Sequence, residues 1–77
     1  MVDPAKIKEV MAAVLEVDPS AIGEDASMDS IESWNSLRQM SLVLALEEEF
    51  RVSFPDEDAA NATSFKLLSL VLQEQFA

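Results

Sequence analysis

Apolar residues in this chain recur every three or four positions in three separate stretches, and no stretch alternates apolar with polar residues. A period near 3.6 lays an apolar face along a helix, whereas a half-buried strand needs a period of two. The chain is therefore read as all-α. Its 77 residues form a single domain, near the lower limit for a hydrophobic core that lacks disulfides and metal. An apolar content of 49%, with one glycine and three prolines, favours packed helices over disorder.

Asp3-Pro4 opens the first helix, because a carboxylate caps free backbone N–H groups and proline suits the first helical position. Ile7, Val10, Met11, Val14 and Leu15 carry it forward until Asp18-Pro19 stops it, which predicts a helix over about 4–17. The stretch that follows holds Pro19, the only glycine (Gly23) and several Ser and Asp residues, so it reads as a long loop up to Asn35. Ile22 and Ile31 are expected to pin it to the core. Further helices are predicted over about 36–51, 56–61 and 64–76. Thr63 or Ser64 caps the last one, with Phe65, Leu68, Val71, Leu72 and Phe76 on its buried side. The expected architecture is a four-helix bundle of three longer helices and a short third one.

Fifteen acidic residues against five basic ones give a net charge of −10. Such a field repels nucleic acid and anionic membranes and steers association toward basic protein surfaces. With neither cysteine nor histidine, structural zinc, thiol nucleophiles, Ser-His-Asp triads and imidazole catalysis are excluded. The acidic loop after Gly23 lacks the alternating oxygen ligands of a calcium loop, so no metal is expected. No serine has a base and oxyanion loop at a spacing that fits a small hydrolase. No apolar run approaches the ~18 residues of a membrane span, and no signal peptide is legible. A cytoplasmic monomer is the expectation, in keeping with the absence of cysteine.

The second helix carries two apolar strips. At about 100° per residue, Leu42, Val43, Leu46 and Phe50 share one side, wide enough to face the core, while Leu37, Met40 and Leu44 fall nearly opposite. One face of a helix in so small a domain should stay wet. The second strip, edged by Ser41, Glu47 and Glu48, therefore reads as a partner surface. Cover by the long loop or by the short third helix is the alternative.

Ser36 stands at the N-terminal end of that strip, and two local readings compete there. In one, Ser36 is the N-cap and Gln39 completes a capping box. In the other, Asn35 takes the cap and Ser36 is the first helical residue with a free hydroxyl, where a phosphate ester would meet unpaired N–H groups and the helix dipole.

Asn35-Ser36-Leu37, followed at fixed spacing by Ala45-Leu46-Glu47-Glu48-Glu49-Phe50, resembles the hallmark of the acyl carrier proteins and related peptidyl carrier domains. Phe54-Pro55-Asp56-Glu57 and Ala62-Thr63 also resemble that family's route into its third and fourth helices. The resemblance spans the chain and implies an all-α bundle of acyl-carrier type. It implies that Ser36, flanked by Asn35 and Leu37, carries 4′-phosphopantetheine derived from coenzyme A. The similar-looking Asp29-Ser30-Ile31 lies six residues too far from Ala45.

The function so implied is that of a carrier and not an enzyme: an acyl or aminoacyl group rides as a thioester on the arm, whose thiol the sequence lacks. The implied partners are a phosphopantetheinyl transferase and acyl-loading, condensing or acyltransferase enzymes with basic docking patches. They would be met through Leu37, Met40, Leu44, Glu47 and Glu48. Three residues depart from the family pattern. Asn35 replaces the usual aspartate; Arg38 and Ser41 stand where carriers of primary fatty acid biosynthesis are often acidic; Trp34 precedes the motif. Asn35 lacks the charge that would help the modifying transferase, Arg38 and Ser41 imply a docking surface with different partners, and Trp34 resembles carriers of specialised lipid, polyketide or peptide pathways. Arg38 is expected to pair with Glu32 or another nearby acid, and Trp34 either marks such a pathway or anchors the loop. The alternative function is an acidic helical adaptor that binds basic partners without a prosthetic group.

Overall fold

The computed structural model describes residues 3–75. Four α-helices follow in order: α1 (Pro4–Leu15), α2 (Ser36–Phe50), α3 (Asp56–Asn61) and α4 (Phe65–Gln75), with a 3-10 turn at Pro19–Ala21 between the first two. There is no strand among the described residues, only an isolated antiparallel bridge between Ser27 and Ser64. The all-α expectation holds. The predicted burial of Phe76 lies outside the described residues.

The first helix begins as its sequence dictates. The Asp3 carboxylate accepts the Ala5 N–H at 2.9 Å, and Pro4 needs no donor of its own. Its end differs from expectation. Glu16 adopts the left-handed conformation (φ 57°) and closes the helix, upstream of Asp18-Pro19. Those two residues open the 3-10 turn instead, where the Asp18 carboxylate accepts the Ser20 N–H at 2.9 Å. That bond holds the Asp18 carboxyl below its ordinary value. α2 closes in the same way on left-handed Arg51 (φ 55°).

Helices of this length gain most of their stability from packing an apolar face. Here Ile7, Met11 and Leu15 of α1 meet Leu42, Val43 and Leu46 of α2, and Phe65, Leu68, Val71 and Leu72 of α4 complete the same core. α1 is the central partner, packing on both α2 and α4, while α3 leans on α2. Lys6 of α1 and Glu49 of α2 pair at 2.8 Å on the outside of this contact, and the glutamate raises the lysine's pKa.

The long loop is bound to the core, as expected, through buried Ile22 and Ile31, with Ala26 and Trp34 beside them. Two backbone bonds tie it to the start of α4: Met28 N–H to Thr63 O and Phe65 N–H to Ala26 O, each 2.9 Å. Ser64 caps α4, its Oγ accepting the Leu67 N–H at 3.1 Å. These ties fix the loop that leads into α2 against the bundle.

Candidate functional site

Asn35 is the N-cap of α2: its Oδ1 accepts the Arg38 N–H at 2.9 Å, and its carbonyl accepts the Gln39 N–H at 2.8 Å. Of the two local readings this selects the second. Ser36 is the first helical residue, exposed, and its hydroxyl is not spent on the cap. The neighbouring serines are less available. Ser30 Oγ accepts the Ser27 N–H and donates to Ser27 O, and Ser33 Oγ is buried.

Gln39 is not a capping-box partner. It is buried, 4% exposed, with all its polar capacity directed inward. Its Oε1 accepts the Trp34 Nε1–H at 2.7 Å, while its Nε2 donates to Ala59 O at 2.9 Å and to Ala62 O at 3.0 Å. One amide thus joins the end of the loop, α2 and α3. Trp34, 1% exposed, anchors the loop through this bond. The sequence held a signal for this, since Gln39 falls within the core-facing arc of the helix rather than on its wet side.

Arg38 pairs with an acid as expected, and the acid is Glu16 rather than Glu32. Its guanidinium reaches back to α1, donating to Val14 O at 2.7 Å and to Glu16 Oε2 at 2.8 Å. A cation placed on the last turn of a helix satisfies an orphan carbonyl and complements the dipole. The first turn of α2 is thereby clipped to the C-terminus of α1, and it carries no acidic side chain.

The second apolar strip is open. Leu37, Met40 and Leu44 are 77%, 59% and 60% exposed, so neither the loop nor α3 covers them. The three successive glutamates beside the strip prove unequal. Glu47 is half-buried and accepts the Phe54 N–H at 2.7 Å, and Glu49 pairs with Lys6. Among the described residues only Glu48 of the three has no intramolecular partner and lies exposed at the edge of the strip. Beside Ser36, a pocket of about 360 Å³ opens between α2, α3 and the loop, lined by Met28, Ser36, Gln39, Met40, Ala59, Ala60 and Thr63.

The family model described as the phosphopantetheine attachment site matches residues 5–72. An acyl carrier protein of Thermosynechococcus vestitus is 43% identical to the chain over 54 residues, 70% of this chain and 67% of the relative. An acyl carrier protein of Bdellovibrio bacteriovorus is 33% identical over 70 residues, 91% of this chain and 90% of the relative. The chain belongs to the acyl carrier protein family. A 4′-phosphopantetheine prosthetic group goes with that membership. The start of α2 suits a phosphate ester: an exposed hydroxyl, free N–H groups in the first turn, no carboxylate in that turn, and an adjacent pocket for an uncharged chain.

No described helix is long and apolar enough to cross a membrane, and no cluster of metal-ligating side chains occurs among the described residues.

Proposed function

We propose that Ser36 is the hydroxyl that carries the prosthetic group, and that the chain presents acyl or aminoacyl groups to partner enzymes in a specialised lipid, polyketide or peptide pathway. The observation that carries this reading is the transfer of the cap to Asn35, which leaves Ser36 exposed at a helix N-terminus while the Ser30 hydroxyl is engaged and the Ser33 hydroxyl is buried. When attached, the group supplies the thiol that the sequence lacks, on which an acyl group is held as a thioester. The chain's own residues do the positioning. Asn35 fixes the first turn, Arg38 clips that turn to α1, and Gln39 holds α3 alongside.

Partners are met on the strip of Leu37, Met40 and Leu44, with Glu48 as its charged edge. Glu47 contributes mainly by fixing the turn after α2. An apolar centre with an acid at its rim favours fast, reversible encounters with a basic patch. The phosphopantetheinyl transferase and the enzymes that load, condense or transfer the acyl group fit that description. An adaptor without a prosthetic group does not fit the family to which the chain belongs.

Incubation with a phosphopantetheinyl transferase and coenzyme A, followed by intact-mass measurement, tests the reading. One adduct is expected on the wild type and none on Ser36→Ala. A wild type that several transferases leave unmodified, or an adduct that persists on Ser36→Ala, contradicts it.

A further inference from the structure

We propose that Gln39 is a specificity-determining residue that closes the route from the pocket beside Ser36 into the helical core, so that the carrier shelters short acyl groups and leaves longer ones outside. This rests on Ser36 as the attachment point and names the cargo class of that site. At about 360 Å³ the pocket is near the small end of the roughly 300–1,000 Å³ usual for ligand sites. Its rim is adaptable, because Met28 and Met40 are flexible, polarizable side chains that repack around a guest. Its inner wall is not. There the Gln39 amide is bonded to the Trp34 indole on one side and to the Ala59 and Ala62 carbonyls of the α3 segment on the other. Trp34, behind it, belongs to the core.

An alkyl chain that passes this wall must part the amide from three partners and leave them buried without hydrogen bonds. Each stranded buried polar group costs more than burial of one methylene gains, and parting this wall strands several at once, so the few carbons that follow do not offset the bonds lost. A short group finds apolar cover at the rim without disturbing the amide.

Trp34 is the only tryptophan, so its indole N–H gives a single NMR resonance that reports the bond to Gln39. Wild type and Gln39→Met would be loaded by a transferase from butyryl- or octanoyl-coenzyme A, with each adduct verified by intact mass. In that step the serine oxygen bonds to phosphorus, the pyrophosphate P–O bond breaks, and adenosine 3′,5′-bisphosphate leaves as the hydroxyl proton is released. In the wild type, the butyryl form is expected to raise Tm above the unacylated holo form and the octanoyl form to raise it no further, with the indole resonance unmoved in both. In Gln39→Met, octanoyl is expected to shift the resonance and raise Tm above that variant's own holo form. Trp34→Phe/Gln39→Met strands no indole and guards against a misfolded single variant; it is read by Tm and by the Ala59 and Ala62 amide resonances, with the same rise expected. A wild type in which octanoyl shifts the indole resonance and raises Tm beyond the butyryl form, or variants in neither of which octanoyl gains anything over butyryl, overturns the proposal. A wild type with no adduct by mass overturns the Ser36 assignment instead, and the cargo claim with it.

Discussion

Leu42 and Leu46 on one side of α2 are fully buried, whereas Leu37 and Leu44 on the other are among the most exposed apolar side chains described. The two strips have nearly the same composition and share one helix, so hydrophobicity alone does not separate them. Their surroundings do. The buried strip packs on α1 within the core that α4 completes, while the open one faces solvent beside Ser36 and Glu48, with no element folded across it. One strip is spent on folding, and the other is left open to solvent.

Substitutions that treat both strips alike should therefore have unlike effects. The largest loss is expected from Leu46→Ala, about 2–5 kcal/mol of stability by urea unfolding, a large share of the roughly 5–15 kcal/mol of a whole domain. Asn35→Ala removes the cap at the head of both strips and should cost about 0.5–2 kcal/mol, whereas Asn35→Asp keeps an acceptor there and should leave stability nearly unchanged. Leu44→Ala, on the open strip, should shift stability by no more than about 0.5 kcal/mol. In modification kinetics it should raise KM for the transferase with little change in kcat. A loss of stability like that of Leu46→Ala would show that the strip is covered after all.

The smallest effect is expected away from α2, at Asp18. Its carboxyl is held below the ordinary value by the Ser20 N–H, so the bond's contribution is complete above the unfolded-state value and is lost as pH falls through the folded-state one. Asp18→Asn should narrow the gap in urea midpoint between neutral and acid solution, leaving both strips of α2 untouched.

The apolar period of the chain foretold which helices form and which of their faces pack, and isolated Ile22 and Ile31 were legible as loop anchors because nothing else near them is comparably apolar. The helix ends were less legible. The single glycine lies in the loop, and both α1 and α2 close on charged residues in the left-handed conformation, where glycine is the usual marker. An acid partner for Arg38 was legible, but not that it is Glu16 at the end of α1 or that the Val14 carbonyl joins it, because both lie more than twenty residues away in sequence. Glu47, Glu48 and Glu49 were equivalent as letters, yet a backbone N–H from the next turn and a lysine on α1 leave only one of them free. Gln39 matched a capping box, a local pattern, while its amide N–H groups donate to carbonyls 20 and 23 residues along the chain. Local patterns therefore located the candidate site, and long-range hydrogen bonds decided what each of its residues is free to do.

On the proposed reading Ser36, and no other serine between Lys8 and Arg38, bears the prosthetic group. Trypsin cleaves after Lys8 and Arg38, so one peptide holds Ser20, Ser27, Ser30, Ser33 and Ser36 together. Fragment-ion mapping of that peptide from transferase-treated wild type should place the whole adduct on Ser36. An adduct on Ser30, in the look-alike Asp29-Ser30-Ile31, or anywhere else in the chain, would contradict the account.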